Sequence, residues 1–219
     1  MAVLQGVIIR PFRLEDRDSV RAIAYNTAFL GESPEAFFEG KDLIEDLLTG
    51  IYLDYEPQTC FVAENCGQVI GYLLGAKDIS GLEKASGFKV IRKIFFKLVA
   101  RGLILRKKNL IFLFNCLGSY FKGEFLLPDF SKEYPATLHV NIKTDFRNQG
   151  IGSLLVDGYL GLLSKEKITG VHFATLSDKA ARFYEKLGFT LLFKNKRSYL
   201  RHILHRDLTC YVYGKRLCV

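Results

Sequence analysis

Thirteen residues constrain this chain more than the rest of it does: Val140-Asn141-Ile142-Lys143-Thr144-Asp145-Phe146-Arg147-Asn148-Gln149-Gly150-Ile151-Gly152. A β-branched run ends, a short polar turn follows, and a long apolar segment opens on Arg-x-x-Gly-x-Gly. The spacing predicts a strand that turns directly into a helix over Arg147–Leu163. Two glycines let the main chain close on a bulky anion, and the first-turn N–H groups of a helix have no intrahelical acceptors. That geometry suits a pyrophosphate. The pattern is not a P-loop, which needs Gly-Lys-Ser/Thr, nor a dinucleotide fingerprint, whose glycines are spaced differently. Alone it is weak, because a tight strand-to-helix turn uses the same residues with no ligand.

The neighbouring segments read as one alternating α/β pattern. Val7–Ile9 is a strand closed by Pro11, and Asp16 is an N-cap for a helix carrying Val20, Ile23, Ala24 and Thr27. A second helix is expected from about Pro34 to Leu48, stopped by Gly50. Thr59–Ala63 and Gln68–Leu74 form a hairpin about Glu64-Asn65-Cys66-Gly67. Ala136–Ile142, Gly170–Leu176, Phe189–Lys194 and Leu208–Tyr213 are further strands. Lys179–Leu187 is a helix stopped by Gly188. The order β-α-α-β-β, insert, β-α-β-α-β-β predicts an α/β (α+β) fold: a mixed sheet of six to seven strands flanked by helices. A length of 219 residues fits a single domain, 1–219.

The insert, at about 79–127 between the third and fourth strands, carries the chain's entire formal charge of +8. Ten bases stand there against Glu83 and Glu124 only. Phe88, Val90, Ile91, Ile94, Phe95, Leu98 and Val99 form one helical stripe, with Lys89, Arg92, Lys93, Lys97 and Arg101 opposite. The expectation is two helices over Gly87–Phe121, packed by their apolar stripes against each other and the sheet edge, with the bases in water. They would roof the candidate site beside the sheet edge and give it a positive rim. The second apolar run, Leu110–Phe114, is too short to span a bilayer.

Four segments together resemble the GNAT superfamily of acetyltransferases. The Arg147–Gly152 turn is similar to its cofactor motif, and Ile8–Asp16 to its first strand and helix entry. Ala180–Phe189 (Ala-Ala-Arg-Phe-Tyr-Glu-Lys-Leu-Gly-Phe) resembles its late helix, and Tyr211–Leu217 its closing strand. Leu127–Phe130 with Tyr134–His139 resembles more narrowly the acetyltransferase-like domain found beside some O-GlcNAc hydrolases. The resemblance implies a GNAT-like acyl-CoA N-acyltransferase fold, acetyl-coenzyme A as cosubstrate, and acetyl transfer to a primary amine of a small molecule or protein. It also implies roles. The backbone at Asn141 and Ile142 would hold the pantetheine arm. The amides of Arg147, Asn148, Gln149, Gly150, Ile151, Gly152 and Ser153 would hold the pyrophosphate, with Ser177 and Phe183 beside the cofactor. Tyr184 would face the departing sulfur. A phenol near pKa 10 giving its proton to a thiolate near 8.5 is uphill by about 2 kcal/mol, so Tyr184 acts as a hydrogen-bond donor to that sulfur.

Two departures from the family pattern stand out. Ser177 occupies a position where many members carry asparagine, and Ala136 one where some carry a glutamate base. The base is therefore sought elsewhere, at His139 or His172, each on a strand beside the cleft and each suited to accept an ammonium proton. Glu64 and Asp129 are further candidates through water, and Tyr134 is a possible substrate contact. His202-x-x-His205 offers too few ligands for a metal, so none is expected.

A different class of function is a catalytically silent acyl-CoA-binding module that uses the insert for contacts. The aromatic residues of the insert read as helix cores rather than base-stacking platforms, so nucleic acid is not an expected partner. A peripheral membrane contact and a homodimer are left open. No basic, apolar leader is seen in Met1–Arg10, and five cysteines without a CxxC pair fit a reducing, cytoplasmic setting.

Overall fold

The computed structural model describes residues 6–218, without the side chains of Ala85 and Ser86. The Met1–Gln5 start of the leader reading lies outside the described residues. β1 (Val7–Pro11), β2 (Phe61–Asn65), β3 (Gln68–Ala76) and β4 (Thr137–Ile142) form one antiparallel sheet in that order. β5 (Gly170–Thr175), β7 (Leu208–Arg216) and β6 (Thr190–Arg197) form a second, with β7 central. Among the described residues the two sheets meet at one parallel bridge, Ala136 to Val171. From that point β4 and β5 diverge, and this splay decides where a ligand can enter.

Helices cover both faces. α1 (Arg17–Thr27) and α2 (Lys41–Tyr55) pack on one side, with Val20, Ile23, Ala24 and Leu53 against Val62, Tyr72 and Leu74. The helix expected from Pro34 is broken. Pro34–Ala36 is a short 3-10 turn, α2 begins only at Lys41, and Gly50 lies inside it rather than ending it. Gly50 is buried in a helix whose packing outweighs its weak propensity.

The insert folds as α3 (Ile79–Leu82), a π-helical stretch over Glu83–Gly87, α4 (Phe88–Ala100) and α5 (Lys107–Phe121). Its orientation corrects the sequence reading. α4 turns its basic side toward α2: Lys97 Nζ lies 2.7 Å from Asp46 Oδ2, Lys93 Nζ 3.8 Å from it, and Arg101 Nη1 2.7 Å from Asp42. Only Leu98 of the apolar stripe is buried, while Phe88, Ile91, Phe95 and Val99 face solvent. The buried Asp46, already holding Arg21 at 2.6 Å, needs cations around it more than the stripe needs cover. α4 gives Ile94 and Leu98, and α5 gives Phe112 and Leu113, to one apolar cluster that also holds Phe37, Phe38 and Leu43. α5 sits on the turn before α2, with Phe112 5.1 Å from Phe37 and 5.7 Å from Phe38, ring to ring. It also reaches the β6–β7 connection, where Phe112 meets Tyr199 at 6.0 Å and Ser119 meets Ser198 at 3.2 Å.

On the other face lie α6 (Ile151–Lys165) and α7 (Asp178–Lys186), while α8 (Arg201–Leu204) is a single turn before β7. Ile151, Leu155, Val156, Tyr159 and Leu163 of α6 bury against Ile70, Leu73 and Leu138.

Candidate active site

The bridge fixes which main-chain groups line the splay. Ala136 N–H donates to the Gly170 carbonyl at 3.1 Å, and His172 N–H to the Ala136 carbonyl at 2.9 Å. At the far end of β4, Lys143 N–H donates to the Ile70 carbonyl at 2.8 Å. Alternation along an antiparallel strand then turns Thr137, His139, Asn141 and Lys143 toward β3, and Leu138, Val140 and Ile142 toward the opening. The expected role of the Asn141 main chain is corrected: its polar groups belong to the β3 ladder. Val140 and Ile142 present theirs to the gap, although the Ile142 carbonyl already accepts from Arg147 Nε at 3.1 Å.

Where β4 leads to α6, the chain makes the turn that the glycines imply. Asn148 has φ +62° and Gly150 φ +80°, and Gly150 is the N-cap of α6. Among the described residues, no backbone acceptor meets the N–H groups of Asn148, Gln149, Gly150, Ile151, Gly152 or Ser153. Gln149 Oε1 is buried there with no partner, while its Nε2 donates to the Asp145 carbonyl at 3.2 Å. Six free N–H groups at a helix start make a cradle for an anion, so the turn fits a pyrophosphate. Arg147 stands outside it. Its N–H donates to the Thr144 carbonyl, and its Nη2 reaches the Gly31 carbonyl at 2.9 Å. Its side chain therefore pins the strand end to the α1–α2 connection.

Gly152 serves packing. A Cβ there would lie 3.2 Å from Phe183 Cζ, so its absence lets α7 close on α6. Ser177 is the N-cap of α7, its Oγ accepting from Ala180 N–H at 3.3 Å. That oxygen already accepts one bond in capping, which leaves its proton and a second lone pair for a ligand. Tyr184 is buried, its ring 4.2 Å from Phe173, 4.9 Å from Phe183 and 5.5 Å from Phe189. Its hydroxyl meets no partner among the described residues. Burial pushes its pKa well up, so the phenol keeps its proton.

The two histidines lie on the α1–α2 side of the split sheet. His139 and Asn141 share that face with Tyr72: Asn141 Nδ2 donates to Tyr72 Oη at 2.9 Å and to His139 Nε2 at 3.1 Å. Burial pushes the His139 pKa down to about 4, far from the unperturbed value expected of it. His139 is thus neutral and a weak base. His172 alternates with Val171 and Phe173, which face the α6–α7 core, so it points to the His139 side. Its Nδ1 lies 2.6 Å from the Tyr134 carbonyl, which fixes the proton on Nδ1 and leaves the Nε2 lone pair free.

Of the remaining candidates, Glu64 lies apart, while Asp129 and Tyr134 lie near His172. Glu64 is held by Arg10 Nε at 2.7 Å, near β1. Asp129 is exposed and accepts from Ser131 N–H. Tyr134 is buried, and its carbonyl serves His172. Sequence reasoning missed Tyr72 and Tyr159, because a tyrosine in an apolar run reads as core. Tyr159 Oη lies 2.9 Å from the Ala76 carbonyl and 2.8 Å from that of Thr137, at the base of the splay.

Residues 123–191, which hold the splay, the cradle and α7, match the family model described as Acetyltransferase (GNAT) domain. No curated protein matches the chain. Among solved structures, SsHAT is similar with a TM-score of 0.68 at 19% identity, covering 98% of this chain and 100% of that one. Ard1 from Thermoplasma volcanium gives 0.58 at 18% identity, covering 98% and 99%. The Drosophila melanogaster polyamine N-acetyltransferase, which catalyses formation of N-acetylagmatine, gives 0.62 at 15%, covering 97% and 100%. At such identities the structural likeness speaks for the fold.

Proposed function

We propose that this chain, whose residues 123–191 match the family model described as Acetyltransferase (GNAT) domain, is an N-acetyltransferase that acetylates a primary amine held on the His139–His172 side of the splay. Three features support the proposal: the amides of Asn148–Ser153, which meet no backbone acceptor among the described residues, the main chain of Val140 and Ile142 turned away from β3, and the Tyr184 hydroxyl, which has no partner among the described residues. Acetyl-coenzyme A would lay its pyrophosphate on the amides and its pantetheine arm along β4, bringing the thioester to the apex.

The acceptor arrives as an ammonium and gives one proton to Nε2 of His172. The neutral nitrogen attacks the thioester carbonyl carbon, so that a C–N bond forms and the C–S bond breaks. The nitrogen loses its second proton as the thiolate leaves, and that proton ends on sulfur, guided by the Tyr184 hydroxyl. His172 returns its own proton to water. Because burial raises the Tyr184 pKa, full proton loss from the phenol costs more than the ordinary difference between phenol and thiol. Tyr184 therefore works by hydrogen bonding. The silent-module reading has no observation in its favour that this one lacks.

The test is Gly150→Glu. Its side chain would enter the cradle as an anion, and calorimetry should show acetyl-coenzyme A binding weakened by at least about 100-fold. An unchanged affinity in a variant with a wild-type thermal transition would remove the cradle from the account.

A further inference from the structure

The insert presents an apolar face that the fold leaves uncovered. On α4, Phe88, Ile91, Phe95 and Val99 recur at spacings of three and four, with exposures from 47% to 75%. On α5, Ile111, Phe114, Leu117 and Phe121 repeat the pattern, between 38% and 78% exposed. Soluble chains seldom leave two consecutive helices this apolar toward water, and such a face marks an interaction surface.

Charge selects the occupant. Lys93, Lys97 and Arg101 are spent on Asp42 and Asp46, but among the described residues Lys84, Lys89, Arg92 and Lys107 have no carboxylate within ion-pair distance. By helical phase Arg92 falls within the α4 stripe and Lys89 at its margin, while Lys107 falls on the α5 stripe. A groove of about 510 Å³ opens beside α5, lined by Phe114, Lys122, Arg201, His202 and His205 among others. A two-fold dimer over this face would bring together two surfaces that both carry these free bases, a like-charge contact. Helices with phenylalanine and leucine on one face and free lysine and arginine beside it suit an anionic lipid surface. No helix among the described residues is long and apolar enough to cross a membrane, so the contact is peripheral.

We propose that α4 and α5 dock this protein on an anionic bilayer, their phenylalanines entering the acyl boundary and the free bases meeting lipid phosphates. This places the enzyme at a membrane surface without altering the splay, and it stands whether or not the acetylation reading does.

The chain has no tryptophan, so Phe95→Trp supplies a single reporter on the exposed stripe. The full-length variant is mixed with vesicles of pure phosphatidylcholine, or of phosphatidylcholine with phosphatidylglycerol, at low and high salt. The expected result is a blue shift and cosedimentation with the anionic vesicles alone, weakened at least 10-fold by salt and by adding Lys89→Gln and Arg92→Gln. Absence of binding to anionic vesicles at low salt overturns the proposal. So does binding without a blue shift, which would place the lipid elsewhere. A blue shift that follows protein concentration without lipid, with dimers in sedimentation, would assign the face to a second copy.

Discussion

Tyr184 shows how environment sets a residue's role. Its ring is locked among Phe173, Phe183 and Phe189, so the hydroxyl has one direction to point, and burial keeps its proton on. Tyr184→Phe keeps the packing and removes only the donor. Steady-state kinetics should show kcat lower by roughly 100-fold, the low end for a positioned proton donor, with KM for acetyl-coenzyme A unchanged. A raised KM with unchanged kcat would make Tyr184 a binding residue. His139 has the opposite problem, since burial holds its pKa at about 4 against about 6.5 unfolded. Because the folded value is the lower one, the unfolded chain takes the proton first. The contribution to stability is complete above about pH 6.5 and falls as pH drops toward about 4. His139→Gln should flatten that slope by up to ~3 kcal/mol in urea titrations across the window. An unchanged slope would place the acid sensitivity in another group.

At the scale of elements, the splay is the feature that needs support, because two strands that could pair for their full length part after one bridge. Tyr159 provides some of it. From α6 its hydroxyl reaches the carbonyls of Ala76 and Thr137, and Gly75 makes room, since a Cβ there would lie 2.4 Å from the ring. Tyr159→Phe should cost about 1–3 kcal/mol, the penalty for leaving a buried carbonyl unpaired, read as a lower urea midpoint. A neutral result would mean water replaces the hydroxyl. The elements themselves were legible where local chemistry decides them. The Arg147–Gly152 turn, the Cys66-Gly67 hairpin with φ of +47° and +77°, and the stop of α7 before Gly188 at φ +78° all follow from short-range rules. The α2 start was not, because Gly40 at φ +132° and the 3-10 turn at Pro34 depend on Phe37 and Phe38 finding Phe112 some seventy residues later.

Across the whole molecule, the insert is where sequence pattern and structure disagree most. An amphipathic helix normally buries its apolar side, but α4 meets an acidic patch on α2 and turns its bases inward. Asp42 and Asp46 carried the missing signal, since acids on a neighbouring helix can reverse the usual direction. For the same reason the positive rim expected over the acceptor site is largely neutralised on α4. The acceptor side of the site was legible only in part: both histidines were visible, but their ranking came from the Tyr134 carbonyl and the burial of His139, neither of which spacing reveals. The central claim is that acetyl transfer to an amine occurs at this splay. Its most direct test is coenzyme A thiol release from acetyl-coenzyme A, measured with and without a panel of primary amines and peptide N-termini, with products identified by mass spectrometry. The account predicts release that depends on one class of amine, matched by its N-acetylated product and reduced in Tyr184→Phe and His172→Gln. Tight acetyl-coenzyme A binding with no amine-dependent thiol release across the panel would contradict it.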